Sequence, residues 1–206
     1  MQHHGGMNAR VLAASVLVAS LASPAFAGPP TDTLRQGVDR VLRIVEKPGD
    51  HPAEIRKVAQ ELFDFEQTAR RSLGPHWNAR TPEERREFVD LFAELLERTY
   101  VRRIESGAGG TVTYVGESID GDEATVRTRV LTQEKSDIPI DYRMRRKNGR
   151  WVIYDVSIEG VSLIANYRTQ FNRVIQTESY DALVARLRSK EPEPTASPVP
   201  RPSRRD

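Results

Sequence analysis

Two acidic residues beside tyrosines are the residues of this chain best suited to acid–base chemistry. Asp141 precedes Tyr142, and Asp155 follows Tyr154, each pair within a stretch of alternating apolar and polar residues. A carboxylate and a phenol held together in a covered cavity can transfer a proton. Successive side chains of a strand point to opposite faces, however, which separates each Asp from its neighbouring Tyr. A small exported enzyme is therefore the alternative hypothesis, and we predict no catalytic residue.

The residue types of the chain give little support for a metal site or a catalytic nucleophile. The chain has no cysteine, and only His51 and His76 lie beyond the N-terminal segment, not at ligand spacing with each other. There is no G-x-S-x-G elbow and no glycine-rich loop that follows a strand and opens a helix. The sequence predicts neither a metal nor a cofactor.

Basic residues crowd one predicted hairpin, at Arg143, Arg145, Arg146, Lys147 and Arg150. The formal net charge of the whole chain is only +2. Nucleic-acid binders show a strong basic excess, so we predict no nucleic-acid partner. Two interpretations of the hairpin remain, a solvated rim of the sheet or a docking patch that steers an acidic membrane partner.

The two ends of the chain differ from its middle. Arg10, the apolar run 11–21 and the Ala25-Phe26-Ala27 site are typical of a secretory signal peptide over residues 1–27. That apolar run is too short to span a bilayer. Residues 191–206 contain five prolines and few apolar residues, which predicts a disordered tail. Residues 28–190 remain as one domain.

Helical periodicity accounts for both flanks of this domain. We predict helices over residues 31–47 and 53–62, a short helix capped by Asp64, and a long helix through Ile104 that opens on the capping box Thr81-Pro82-Glu83-Glu84. Two further helices are predicted over residues 161–177 and 179–188.

Between these helices the hydrophobic period changes to two after Gly110, which predicts strands. Asp120-Gly121-Asp122 and Asn148-Gly149 are hairpin turn signals. Four strands follow, and the last is predicted to place Val152, Tyr154, Val156 and Ile158 on one face before Gly160 ends the sheet. We therefore predict an α+β fold, with a four-stranded antiparallel curved sheet packed against N-terminal and C-terminal helices around an apolar cavity.

Two stretches of the chain carry a family resemblance. The strand end Glu159-Gly160-Val161-Ser162-Leu163 is followed by Asn166-Tyr167-Arg168 and Gln170-Phe171, and Phe63-Asp64-Phe65 is followed by Leu73-Gly74 and Trp77. Both resemble the MlaC or toluene-tolerance family of periplasmic phospholipid-binding proteins, which includes hopanoid-associated relatives. The resemblance covers the chain from the predicted cleavage site to about Lys190.

The resemblance implies a soluble periplasmic carrier, with lipid tails inside a cavity and the headgroup near its opening. It also implies two partners, an inner-membrane ABC transporter with its lipid-binding subunit and an outer-membrane lipoprotein complex. Phospholipid and hopanoid both remain open as ligands. Exposing an acyl chain of about 16 carbons to water costs roughly 12 kcal/mol, which is why a soluble carrier needs a closed apolar site. We expect the lining to comprise Tyr142, Tyr154, Val156, Val161, Leu163, Tyr167 and Phe171.

Overall fold

A computed structural model describes residues 29–106, 110–133 and 135–189, so the predicted signal peptide and tail lie outside the described residues. The helices are α1 (Pro30–Val45), α2 (Pro52–Leu62), α3 (Phe65–Leu73), α4 (Pro82–Ser106), α5 (Leu163–Thr177) and α6 (Tyr180–Ser189), with a 3₁₀ helix at Gly74–Ala79. The strands are β1 (Thr111–Asp120), β2 (Glu123–Leu131), β3 (Asp137–Lys147), β4 (Arg150–Ile158) and β5 (Val161–Ser162). None of the helices in these ranges is long and apolar enough to cross a membrane.

Side-chain caps begin α3 and α4 where the sequence predicts them. The Asp64 carboxylate accepts a hydrogen bond from the backbone N–H of Gln67 at 3.3 Å. Thr81 and Glu84 form the predicted reciprocal box, in which the N–H of Thr81 donates to Glu84 Oε2 at 2.7 Å and the N–H of Glu84 donates to Thr81 Oγ1 at 3.2 Å. These bonds satisfy donors that a helix N-terminus leaves unpaired.

The sheet is antiparallel and runs in the order β1-β2-β3-β4-β5. The predicted α+β class is confirmed, but the sheet has one strand more than predicted. Glu159 and Gly160 both have positive φ, at 50° and 81°, so they form a tight turn rather than the end of the sheet. The chain folds back, Val161 and Ser162 pair with β4, and α5 begins only at Leu163.

An extra residue in β4 changes which side chains share a face. Arg143 pairs with Asp155 and Met144 with Ile153, which leaves Tyr154 as a β-bulge. Val156 therefore lies on the same face as Ile153, while Tyr154 lies on the opposite one. The prediction that Tyr154 shares a face with Val156 is wrong, because strict alternation holds only for an unbulged strand.

The buried residues form separate clusters on the two sides of β4. The face that packs against α1, here called the α1 face, contributes to the sheet core: Leu34, Ala124, Val126, Met144, Trp151, Ile153, Val156 and Ile158. The opposite face, here called the α3 face, is covered at β4 by α3 and α5, whose apolar sides belong to the helical core: Ala69, Leu73, Trp77, Phe88, Phe92, Leu95, Tyr167, Phe171, Tyr180, Leu183, Val184 and Leu187. Because both its faces are covered, β4 is buried along almost its whole length.

Candidate functional site

The α1 face of the sheet is apolar across all four long strands and meets α1, the end of α2 and α4. At its centre Leu34, Val126 and Met144 are almost fully buried. Toward its margin the apolar residues are only half-buried, and they are Val38, Leu62, Phe63, Tyr100, Tyr114, Ile138, Ile140, Tyr142 and Leu163. We call the sheet core and these marginal residues together the seam. Half-buried apolar residues that border a buried apolar centre suit an elongated hydrocarbon ligand better than a polar substrate.

The phenols of Tyr114 and Tyr142 and the hydroxyl of Thr128 are polar groups on the sheet side of the seam. Thr128 is 1% exposed, and its hydroxyl donates to the carbonyl oxygen of Ile140 at 3.1 Å. Burial raises the pKa of Tyr142 to about 12; the nearby Tyr114 phenol acts in the same direction, and the Thr128 hydroxyl opposes it. Burial likewise raises the pKa of Tyr114 to about 12, helped by Asp39 and opposed by Arg35. These phenols are neutral donors at physiological pH.

The structure brings together three of the residues predicted to line a cavity. Tyr142, Val156 and Leu163 all lie in the seam. Val161 is 45% exposed at the edge of the sheet. Tyr154 is buried on the α3 face, where the Arg71 guanidinium lies 4.2 Å from its ring centroid and Glu123 accepts a bond from its hydroxyl at 3.3 Å.

The other two predicted residues, Tyr167 and Phe171, pack inside the helical core. Phe92 meets both rings edge-on, with centroid distances of 5.0 Å to Tyr167 and 5.2 Å to Phe171. Phe88 adds a further edge contact to Phe171 at 5.6 Å. Such contacts are the favoured geometry of packed aromatic cores. The spacing on α5 identified an apolar helix side correctly, but that side faces other helices rather than the seam.

Asp155 has a positional role that differs from acid–base chemistry. Its side chain is buried, and its two oxygens accept hydrogen bonds from the Ser162 hydroxyl at 2.6 Å and from the backbone N–H of Ile164 at 3.1 Å. Asp141 pairs across the sheet with Arg127 and Ser157, on the face opposite Tyr142. Asp141 and Tyr142 thus lie on opposite faces as predicted, whereas the bulge places Tyr154 on the same face as Asp155, so the predicted separation of that pair is wrong. Both Asp155 oxygens are nevertheless occupied by the hydrogen bonds to Ser162 and Ile164.

Four of the five cations in the basic hairpin lie within 4.0 Å of carboxylates of the same domain. Lys147 Nζ lies 2.8 Å from Asp64 Oδ1, and Arg145 Nη1 lies 3.5 Å from Asp64 Oδ2. Arg143 lies 4.0 Å from Asp155, and Arg146 lies 3.5 Å from Asp122. Buried carboxylates need such partners because an unpaired buried charge is strongly unfavourable. The hairpin's cations thus pair with carboxylates of the fold while their own side chains stay 33–54% exposed.

Two open depressions lie on the surface, and the second of them reaches the seam at Ala124. One, of about 540 Å³, is lined by Gln67, Arg70, Arg71, Gly74, Pro75, Trp77, Asn78 and Arg168. The other, of about 390 Å³, is lined by Arg71, Ser118, Ile119, Asp120, Glu123, Ala124, Thr125, Arg143 and Tyr154. Both are bordered by charged side chains. The structure shows no cluster of potential metal ligands among the described residues.

Sequence reasoning missed Tyr100, Tyr114 and Thr128 as residues of the seam. A signal for two of them was available in the strand alternation, which places Tyr114 with Val112 and Thr128 with Val126 on the apolar face. The pairing of Tyr114 with Thr128 across β1 and β2 confirms that they share this face. Tyr100 lies near the end of α4, and its position in the seam depends on how that helix packs, which the sequence pattern does not give.

Comparisons with known proteins agree on one family. Residues 35–189 match the family model described as MlaC protein. The Haemophilus influenzae intermembrane phospholipid transport system binding protein MlaC is 23% identical over 145 residues, which are 68% of each chain. A solved structure of a phospholipid-binding protein from Ralstonia solanacearum, in complex with a phospholipid, is 26% identical and superposes with a TM-score of 0.72, covering 79% of this chain and 96% of that chain. The chain belongs to the MlaC family.

Proposed function

We propose that this protein is a periplasmic lipid carrier that holds the acyl chains of a phospholipid in the seam. One observation carries the proposal: a protein of the same fold, 26% identical, holds a phospholipid in its solved structure. The seam supports it, because its apolar residues extend along the sheet from a fully buried centre to a half-buried margin. The signal peptide predicted at residues 1–27 supports the periplasm as the compartment.

The lining that we propose is narrower than the sequence predicts. Tyr142, Val156 and Leu163 remain in it, joined by Ile140 and Thr128. A bound acyl chain contributes about 0.8 kcal/mol for each CH₂ group removed from water. Opening apolar contacts within the seam to admit the chain costs part of that energy, so the site can bind the lipid and still release it.

Transfer between membranes requires partners that accept and donate the lipid. We propose an inner-membrane ABC transporter with its lipid-binding subunit and an outer-membrane lipoprotein complex. The name of the Haemophilus relative, an intermembrane phospholipid transport system binding protein, supports this assignment. The basic hairpin is a weak candidate for the docking surface, since four of its cations already lie near carboxylates of this chain.

Lipid extraction from protein purified out of the periplasm tests the proposal. Wild-type protein should carry phospholipid in native mass spectrometry, whereas Ile140→Asp should carry little, because a buried carboxylate costs several kcal/mol against hydrocarbon. Val115→Asp is the matched control, since Val115 is 54% exposed on β1. It should retain the lipid.

Several outcomes would change the proposal. Co-purified hopanoid in place of phospholipid would keep the carrier role and replace the ligand. Folded Ile140→Asp protein with full lipid occupancy would move the site away from the seam. Wild-type protein that neither co-purifies with lipid nor takes it up from vesicles would refute the carrier function.

A further inference from the structure

The hydroxyl of Tyr114 is a buried donor that forms no hydrogen bond with the described residues. Tyr114 lies on β1, opposite Thr128 and beside the bulge that precedes Gly116. Its oxygen is buried and has no hydrogen-bond partner in the part of the chain that the structure describes. Asp39 on α1 is the carboxylate close enough to influence this phenol, yet it is exposed and does not accept a bond from it. A buried polar group without a partner is rare in proteins and marks a position where a ligand can supply the missing atom.

Tyr114 lies beside groups that match the parts of an amphiphilic lipid. Its partner across the sheet, Thr128, is two residues from Val126 in the buried apolar centre of the seam. The exposed Arg35 places its guanidinium 4.7 Å from the ring centroid of Tyr114. Buried hydrocarbon, a neutral donor and an exposed cation therefore lie together at this position. A phospholipid carries the corresponding groups, which are acyl chains, ester carbonyls and a phosphate.

We propose that the Tyr114 hydroxyl donates a hydrogen bond to an ester carbonyl oxygen of the bound phospholipid, and so selects diacyl lipids over lipids without that acceptor. The inference rests on the proposed carrier function and adds to it the chemical feature that is recognised. A site that has a buried donor discriminates strongly against a ligand that leaves the donor unpaired, because the unpaired group stays buried and desolvated. A purely apolar seam would take any hydrocarbon of the right size.

A pair of lipids that differ only in the acceptor tests this proposal. One is a diacyl phosphatidylcholine, and the other is the dialkyl ether analogue with the same chain lengths and the same headgroup. Delipidated protein is loaded from mixed vesicles that contain both lipids in equal amounts, and the bound ratio is read by mass spectrometry. Wild-type protein should prefer the diacyl lipid about tenfold, which corresponds to about 1.4 kcal/mol.

Substitution of the donor should remove this preference without loss of binding. Tyr114→Phe retains the ring and should load both lipids equally. Its thermal midpoint without lipid should be unchanged or higher, because the substitution removes an unpaired buried hydroxyl. Tyr180→Phe is the matched control, since its hydroxyl donates to the carbonyl oxygen of Glu84 at 3.2 Å in the helical core. That variant should keep the tenfold preference of wild-type protein.

The possible outcomes distinguish a failure of the proposed role of Tyr114 from a failure of the carrier function. Equal loading of the two lipids by wild-type protein overturns the role of Tyr114 and leaves the carrier function standing. A preference that survives in Tyr114→Phe also overturns it. Loading of neither lipid refutes the carrier function and the inference together. If Tyr114→Phe does not fold, the wild-type comparison still decides whether an ester acceptor is recognised.

Discussion

The Asp155 carboxylate accepts a hydrogen bond from the hydroxyl of Ser162 at 2.6 Å, across the turn that joins β4 to β5. The Ser162 hydroxyl in turn accepts a bond from the backbone N–H of Ala165 at 3.1 Å, and the second Asp155 oxygen accepts from Ile164. One buried side chain of the sheet thus caps α5 directly and orients the second cap. Leu163, the first residue of α5, reaches the seam from this fixed junction.

Asp155→Ala should therefore destabilise the domain by about 3 kcal/mol, since it removes two hydrogen bonds to a charged acceptor. Urea denaturation monitored by circular dichroism measures the change. Asp141→Ala is the control on the neighbouring strand; because Asp141 is only half-buried, it should cost less than about 1 kcal/mol. Equal losses for the two variants would show that the cap contributes little.

A second buried carboxylate, that of Asp64, lies where α3 meets the sheet. Asp64 has 2% side-chain exposure, caps α3 and meets both Arg145 and Lys147 of β3, while its backbone N–H donates to the carbonyl oxygen of Ile153 at 2.7 Å. Arg145 therefore has a structural role in addition to any role in docking.

Arg145→Glu should lower stability by about 2 kcal/mol, because it brings a second carboxylate to a buried one. Arg150→Glu, at an exposed position of the same hairpin, should change stability by less than about 0.5 kcal/mol. Thermal unfolding of both variants at matched salt checks this. A stable Arg145→Glu protein would return the hairpin to consideration as a surface patch.

The elements of this fold were predictable because each has a local signal. The Asp64 cap, the Thr81 capping box and the Asn148-Gly149 turn depend on residues within a few positions of one another, and all occur as predicted. The residues of the seam were predicted less well. The bulge at Tyr154 has no local marker, and it reversed the face of every later position in β4.

Tertiary packing explains the positions of the other predicted residues. Tyr167 and Phe171 have the spacing of an apolar helix side, but spacing does not tell which layer that side meets. Likewise, the partners of Arg145 and Lys147 lie about 80 residues away in the chain, so a basic run could not be distinguished from an open patch by sequence.

A close approach of α1 to α2 gives a prediction about backbone packing. A Cβ atom at Gly37 would lie 2.2 Å from a terminal methyl carbon of Leu62. Gly37→Leu should therefore destabilise the domain by about 2 kcal/mol through overpacking. Leu62→Ala in the same chain should recover part of the loss, because it removes the clashing methyl groups. Denaturation of the single and double variants gives the coupling, and additive losses would contradict the contact.

Buried phenols make the fold sensitive to alkaline pH. The pKa values of Tyr114, Tyr142 and Tyr180 are each raised to about 12 by burial. In the unfolded chain a tyrosine loses its proton near pH 10, so between these values the unfolded state binds fewer protons and stability falls as the pH rises. Tyr142→Phe should flatten this fall. Denaturation curves at a series of alkaline pH values measure it, and identical slopes for variant and wild type would contradict the burial of Tyr142.

The attachments of α1, α3 and α5 to the sheet differ in strength, which predicts which helix moves when lipid enters the seam. Asp64 and Asp155 hold α3 and α5 through buried carboxylates. At its N-terminus α1 is linked to the sheet by an exposed contact, in which the N–H and hydroxyl of Thr31 donate to Glu117 Oε2 at 2.7 and 2.5 Å. Exposed contacts of this kind contribute little stability, so α1 should yield first.

Lipid loading should therefore move α1 away from the sheet by about 4 Å, the contact distance of one layer of carbon atoms. The chain has no cysteine, so spin labels attached through Gln36→Cys and Ser118→Cys, both at exposed positions, report the distance from α1 to β1 without background. The distance should lengthen when delipidated protein takes up phospholipid. Labels at Thr169→Cys and Ser118→Cys measure α5 against the same strand and should show no change. A shift in the α5 pair with a constant α1 pair would show that the seam opens on the other side.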